Sequence, residues 1–259
     1  MRLEVEQTEG DGEDAMQSAV WAAASVLADT MQQPSHFAED HWRAKSVVEL
    51  GSGCGLCGLM AAALGARRAL LTDLPPLLPL LRRNCDANRH VCGESELSVR
   101  SLEWGVTPCG GLLAEGEEWS EGLSEGDQEV STPSTRGTPL LRRWDVVLGA
   151  DITPFVQTLG ELSETILELS GGSAPRESPL DGRGDGRGDG RGDGRDEDTE
   201  VYPPTEIYHP TEIYLAHHDR NDTHWLIEQF SDQHGGLFTI EELCRVDKVW
   251  CCVVMYEDV

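Results

Sequence analysis

The 259-residue sequence has little positive charge. Lysine and arginine together number 20 against 47 aspartates and glutamates, which gives a formal net charge of −27 at pH 7. A chain this acidic repels both nucleic-acid phosphates and anionic lipid surfaces. We therefore expect neither nucleic acid nor a membrane as a partner, whereas a basic protein partner is compatible with the charge.

The sequence also lacks the marks of a secreted or membrane protein. No apolar run approaches the roughly 20 residues that a membrane-spanning helix needs. The eight cysteines do not have the spacing of a secreted disulfide framework. The acidic start, MRLEVEQTEGDGED, is unlike a signal peptide. These features predict a reduced, soluble, intracellular protein that resides in the cytoplasm or also in the nucleus.

Three segments are too polar or too repetitive to bury a core. Residues 1–14 are acidic and predict a disordered N-terminus. Residues of about 105–141 are rich in Gly, Glu, Ser and Pro, and residues of about 171–203 contain the repeat GRGDGRGDGRGDGR. We interpret the second and third segments as insertions into one domain that spans 15–259.

The rest of the chain alternates apolar strands with amphipathic helices. Strands are predicted at 46–50, 67–73, 97–104, 144–151, 237–246 and 248–257, and another begins in the second copy of PTEIY (210–214). Helices are predicted at 16–33, 55–65, 75–90, about 155–169 and about 222–234. This alternation predicts an α/β fold with one doubly wound, mostly parallel, seven-stranded sheet. The last strand should be antiparallel, because it closely follows the strand before it.

The stretch VVELGSGCGLCGLMAAALGA (47–66) runs from a strand through a glycine-rich turn into a helix. Dinucleotides and S-adenosylmethionine are both bound by this construction, but only dinucleotides have a pyrophosphate. Gly53, Gly55 and Gly58 match G-x-G-x-x-G, although the first glycine comes two residues late for the dinucleotide fingerprint. A nicotinamide-dependent oxidoreductase is therefore the weaker alternative, and a turn that binds no ligand is a third.

A second register of the same turn favours the methyl donor. It reads Glu49, Gly51, Gly53, Gly55, with the carboxylate at the end of the strand. That carboxylate would repel a pyrophosphate but suits a cofactor that carries an ammonium and a sulfonium, and the glycines allow a close approach of the backbone. Asp73 ends the next strand, where a carboxylate can accept hydrogen bonds from ribose hydroxyls or cap the following helix.

The sequence resembles the seven-strand protein-lysine methyltransferases of family 16, in particular the methyltransferase-like 21 group. The resemblance lies in five stretches in order: VWAAASVLAD (20–29), VVELGSGCGLCGLMAAALGA (47–66), LLTDLPPLLPLLRRNCDAN (70–88), LEWG (102–105) and DVVLGADI (145–152). The family includes enzymes that act on chaperones and on translation factors. The resemblance implies the class I methyltransferase fold, S-adenosylmethionine as cofactor, and methyl transfer to a lysine of a protein substrate.

The resemblance also implies which residues hold the cofactor. The turn Gly51–Ser52–Gly53 would hold its methionine part, and Asp73 its ribose. Trp104 would cover the adenine, which suits a large flat ring, and Trp21 would lie nearby, although both tryptophans could instead be core residues. Ala150 would line the pocket beside the transferred methyl group.

The sequence departs from the family after the fourth strand. The family has Asp-x-x-Tyr or Asp-x-x-Phe there, whereas residues 151–154 are Asp-Ile-Thr-Pro and Phe155 stands one place later. We expect Asp151 to orient the acceptor lysine as the catalytic residue, without a metal, and HHDR (217–220) is a further candidate for substrate contact. The absent aromatic leaves a second hypothesis open, a catalytically inactive binding module built on the methyltransferase fold.

Overall fold

A computed structural model describes residues 2–7, 19–109, 112, 144–152, 159–170, 211–218 and 238–256. The strands are β1 (Ser46–Leu50), β2 (Arg68–Asp73), β3 (Glu96–Ser101), β4 (Val146–Ala150), β5 (Glu212–His218), β6 (Phe238–Val246) and β7 (Val249–Tyr256). The helices are α1 (Ala22–Met31), α2 (Leu56–Ala63), α3 (Leu78–Cys92) and α4 (Leu159–Leu169), and a 3-10 turn (Pro75–Leu77) precedes α3. No helix in these ranges is long and apolar enough to span a membrane.

The seven strands form one sheet in the order β3-β2-β1-β4-β5-β7-β6. The pairs from β3 to β5 are parallel, whereas β7 is antiparallel to both β5 and β6. Only two residues separate β6 from β7, and so short a connection permits antiparallel pairing alone. The predicted class I methyltransferase fold, with its antiparallel last strand, is confirmed.

Helices cover both faces of the sheet. On one face α1 and α2 pack on Val47 and Leu148, and α3 extends this layer over β2. On the other face α4 packs on Val48 and Val147 together with the segment that follows β3. The central strands are therefore rich in apolar residues, because both of their faces are buried.

Some predicted boundaries are wrong. The strand predicted at 97–104 ends at Ser101, and Gly105 at φ 70° lies in the turn that follows. The insertion predicted from about 105 begins later, since Cys109 and Leu112 are buried in the core on the α4 side. The rest of both predicted insertions and the predicted helix at 222–234 lie outside the described residues.

The N-terminus is wrongly predicted as disordered throughout. Residues 2–7 lie along α3, where Glu4 and Glu6 donate their backbone N–H groups to the side-chain oxygens of Asn88 and Asn84, both at 2.8 Å. Residues 1–14 are acidic in composition, but these amides bind the backbone of residues 2–7. Residues 8–14 lie outside the described residues.

Candidate cofactor and acceptor site

The glycine turn between β1 and α2 is built on left-handed backbone. Gly51, Gly53 and Gly55 have φ of 56°, 53° and 83°, a region that residues with a Cβ rarely adopt. The N–H of Gly55 donates to the carbonyl of Ser52 at 2.7 Å, which closes the turn before the helix begins. The E-x-G-x-G-x-G register thus matches the three positions at which the backbone needs glycine.

A reciprocal pair of hydrogen bonds fixes the turn to the end of β2. Ser52 donates its N–H to the carbonyl of Thr72 at 2.9 Å, and Thr72 donates its N–H to the Ser52 hydroxyl at 3.0 Å. The Thr72 hydroxyl donates to the carbonyl of Glu49 at 2.7 Å. The carboxyl ends of β1 and β2 are therefore held as one unit, and the Ser52 side chain already takes part in it.

Asp73, the residue predicted to bind the ribose, is hydrogen-bonded to the glycine turn. Its Oδ2 accepts the N–H of Gly53 at 2.7 Å, and its Oδ1 accepts the N–H of Leu74, also at 2.7 Å. Burial raises the pKa of the Asp73 carboxyl, and the bonds from Gly53 and Leu74 oppose the rise. A carboxylate can accept about four hydrogen bonds, so the Asp73 oxygens retain lone pairs for further donors.

Glu49 lies beneath the turn. Its side chain is buried, and its Oε2 accepts the N–H of Gly58 in α2 at 3.0 Å. Burial raises the pKa of the Glu49 carboxyl to about 7, and the bond from Gly58 opposes the rise. A Cβ at position 58 would lie 2.8 Å from Oε2, which explains why this position of the helix is a glycine. The predicted role of Glu49 toward the cofactor ammonium remains a prediction, with the carboxyl bound to the helix backbone.

Trp104 reaches the turn from the opposite face of the sheet. A Cβ added to Gly51 would lie 2.8 Å from Ile152 Cγ2 and 3.4 Å from Trp104 Cζ2, so all three residues converge. Trp104 is half-buried against the core. Ile152, which sequence patterns do not mark, also fills the space above Gly149 in β4.

Trp21 and Ala150 lie at the ends of elements that pack against α2 and β1. Trp21 immediately precedes α1 and is half-buried. Helix α1 lies against α2, and the Cys57 thiol donates to the carbonyl of Ala24 at 3.6 Å. Ala150 is the half-buried last residue of β4, the neighbour of β1.

The acceptor residue predicted at the end of β4 adopts a left-handed conformation. Asp151 has φ 57°, and its N–H donates to the carbonyl of Ala216 in β5 at 2.7 Å. Its Oδ1 accepts the N–H of His218 at 3.3 Å. Aspartate is one of the few non-glycine residues that tolerate this region. Asp151 is thus fixed between β4 and β5 at the same edge of the sheet as the glycine turn.

Two aromatic rings and an arginine lie at the same edge of the sheet, on the far side of Asp151 from the glycine turn. His217 pairs with Trp250 across β5 and β7, with ring centroids 6.1 Å apart. Arg245 in β6 lies over the Trp250 ring at 4.5 Å. His217 comes from the predicted HHDR segment, whereas residues 219–220, Pro154 and Phe155 lie outside the described residues. Among the described residues, no group of three or more His, Cys, Asp or Glu has a metal-binding arrangement.

The glycine turn and Asp73, on a class I fold, define a candidate methyltransferase, and comparison with known proteins agrees. The chain matches the family model described as lysine methyltransferase over residues 2–112. It is 31% identical over 153 residues to protein N-lysine methyltransferase METTL21A of Xenopus tropicalis, covering 59% of this chain and 55% of that protein. It is 30% identical over 152 residues to EEF1A lysine methyltransferase 3 of Mus musculus, covering 59% and 50%. The predicted resemblance to the family 16 lysine methyltransferases is confirmed.

The matches cover only part of each relative, and the similarity to solved structures is low. The chain spans about half the length of the curated relatives it matches. Among solved structures, a magnesium protoporphyrin IX methyltransferase from Synechocystis PCC 6803 with bound SAM is 11% identical, with a TM-score of 0.45 and coverage of 91% of this chain and 78% of that one. That score is below 0.5, so the fold is identified from the strand order and strand directions.

Proposed function

We propose that the protein is an S-adenosylmethionine-dependent methyltransferase that methylates a lysine side chain of a protein substrate. The observation that carries the proposal is the turn held between two carboxylates, with Asp73 bonded to Gly53 and Glu49 bonded beneath it to Gly58. The family match over residues 2–112 and the names of the relatives support the lysine as acceptor.

The chemistry of the turn fits S-adenosylmethionine better than a dinucleotide. The negative charge of Asp73, and of Glu49 when ionised, favours a cofactor with an ammonium and a sulfonium and opposes a pyrophosphate. Asp73 would hold the ribose with its remaining lone pairs, and Trp104 beside Gly51 would cover the adenine. Neither the described residues nor the comparisons favour the nicotinamide alternative.

The residues of the acceptor side have a positioning task. The bound cofactor supplies a methyl group on a positively charged sulfur, and the lysine nitrogen takes it by in-line displacement. Free lysine titrates near pH ~10.4, so the amine must lose its proton to water before attack. Asp151 would accept a hydrogen bond from the incoming ammonium and align it. Such alignment can contribute up to ~7–11 kcal/mol in ideal cases.

Calorimetric titration with S-adenosylhomocysteine tests the cofactor. We expect saturable binding, and its absence at millimolar ligand would contradict the proposal. Transfer of tritiated methyl groups to proteins in a lysate of cells that lack the protein then tests catalysis. Asp151→Asn is the matched control in this assay, because it keeps the size and backbone tolerance of the side chain. Cofactor binding without transfer to any band would instead support the inactive binding module.

The acidic charge points to the kind of substrate. A net charge of −27 favours a basic surface around the target lysine, and a translation factor or a chaperone in the cytoplasm is our proposed substrate. Mass spectrometry of lysine methylation in cells with and without the protein tests this. A methylated lysine that disappears on deletion should lie in a basic protein; loss of methylation only in acidic or non-cytoplasmic proteins would overturn this part of the proposal.

A further inference from the structure

Residues 2–7, here called the strap, are bound to α3 by a repeated side-chain pattern. Asn88 accepts the N–H of Glu4 at 2.8 Å and donates to its carbonyl at 2.7 Å. Asn84 accepts the N–H of Glu6 at 2.8 Å and donates to its carbonyl at 3.0 Å. Leu3, which precedes Glu4, and Val5, which lies between Glu4 and Glu6, pack on the apolar core. Two amides one helical turn apart thus pair with the strap as a neighbouring strand would.

The two asparagines differ in their third hydrogen bond. Asn84 also donates to the carbonyl of Cys54 at 2.9 Å, inside the glycine turn, whereas Asn88 also donates to the carbonyl of Asn84 at 2.7 Å. Asn84 is 1% exposed and Asn88 0%. Asn84 is therefore a direct link between the strap and the turn.

Asn84 and Asp73 hold neighbouring groups of the turn. Asp73 binds the N–H of Gly53, and Asn84 binds the carbonyl of Cys54, the next residue. Gly53 and Gly55, on either side of Cys54, have the widest backbone freedom of any residue type. The Asn84 bond therefore restrains this segment in addition to the bonds that Gly53 donates to Asp73 and Gly55 donates to Ser52.

We propose that Asn84 is a positioning residue for the cofactor turn and that the strap keeps its side chain in place. The strap fixes the amide of Asn84, and the amide fixes the Cys54 carbonyl between two left-handed glycines. A turn held in its binding geometry before the ligand arrives loses less entropy on binding. This inference rests on the proposed function only for the identity of the ligand.

Asn84→Asp and Asn88→Asp form a matched pair in the full chain. Each removes an amide donor from a buried bond to the strap, so both should lower the thermal unfolding temperature to a similar extent. Only Asn84→Asp also faces the Cys54 carbonyl without a donor. We expect its dissociation constant for S-adenosylhomocysteine to rise about tenfold relative to Asn88→Asp. Protonation of the new carboxyl restores one donor, so this gap should narrow as the pH is lowered.

Amide hydrogen exchange measured without ligand reports directly on the opening of the glycine turn. We expect clearly faster exchange of residues 51–58 in Asn84→Asp and only a small increase in Asn88→Asp, which loosens the strap at Glu4 but keeps the bond from Asn84 to Cys54. Equal effects of the two variants on exchange, or no effect of either, would overturn the proposal. If the unsubstituted protein does not bind S-adenosylhomocysteine, the proposed function fails while the exchange result still decides the role of Asn84. Asn84→Ser and Asn88→Ser are the milder pair if the aspartate variants do not fold.

Discussion

The cofactor half and the acceptor half of the candidate site are assembled differently. The centre of the cofactor half is one run of chain from Glu49 to Asp73, in which hydrogen bonds join residues about 20 positions apart, such as Gly53 and Asp73. The acceptor half takes Asp151 from the end of β4 and His218 from β5, 67 positions apart. The first half is thus built mainly by a local sequence motif, whereas the second forms only when two strands that are distant in the sequence pair. Substitutions should separate the two halves.

The largest effect should follow a substitution in the cofactor half. Gly51→Ala puts a Cβ on a residue at φ 56° and within 2.8 Å of Ile152. Strain of about 1–2 kcal/mol and overlap of about 1–3 kcal/mol should together lower the free energy of unfolding and abolish detectable cofactor binding. Urea unfolding and calorimetric titration measure both quantities.

Gly93→Ala is the matched control for that variant. Gly93 has φ 61°, but a Cβ there would meet no atom within 4 Å. It should therefore show the backbone strain alone and leave cofactor affinity unchanged. Loss of cofactor affinity in Gly93→Ala as well would contradict a specific effect of the overlap at Gly51.

The second effect concerns affinity. Asp73→Asn keeps the shape of the side chain but removes the charge that accepts the N–H of Gly53 and the predicted ribose hydroxyls. Loss of charge-assisted hydrogen bonds should weaken the binding of S-adenosylhomocysteine by about 10–100-fold, or ~1.5–3 kcal/mol. Unchanged affinity in a folded variant, measured by titration, would mean that the cofactor half is misplaced.

The third effect should appear in turnover and not in affinity. Asp151→Asn keeps the tolerance for φ 57° and an oxygen for the N–H of His218. We expect cofactor affinity within a few-fold of the unsubstituted protein and turnover at saturating cofactor reduced by about 10–100-fold. Single-turnover methyl transfer measures this. Loss of cofactor binding instead would show that the two halves are not separable.

The last effect, spread over a pH window and complete only at its upper end, is a pH dependence of stability within the cofactor half. Burial raises the pKa of Glu49 from 4.5 to about 7 in the folded protein. The folded state therefore binds this proton more tightly than the unfolded chain, and the carboxyl stabilises the fold less as the pH rises from about 4.5 to about 7. The change is at most about 3 kcal/mol. Glu49→Gln should remove it, so the variant should gain stability relative to the unsubstituted protein across this window, and a constant difference between the two in urea unfolding would contradict the assignment.

The sequence by itself determined the sheet and the glycine turn. Strands that are buried on both faces are rich in apolar residues. The turn can be predicted because Gly51, Gly53 and Gly55, which occupy left-handed backbone, fall within five consecutive positions. The position of Asp73 follows from the same local pattern, one helix and one strand further along. Backbone conformation and strand burial act over short stretches of chain, so consecutive residues are enough to predict them.

Tertiary structure alone decided which distant residues meet. The acidic composition of residues 1–14 indicates disorder, yet the backbone of residues 2–7 is bound by Asn84 and Asn88. The contact of Ile152 with Gly51 and the pairing of His217 with Trp250 depend on strand order and register. Hydrogen bonds and packing between residues far apart in the chain leave no periodicity in the sequence, because the partner of each residue is chosen only when the sheet has formed.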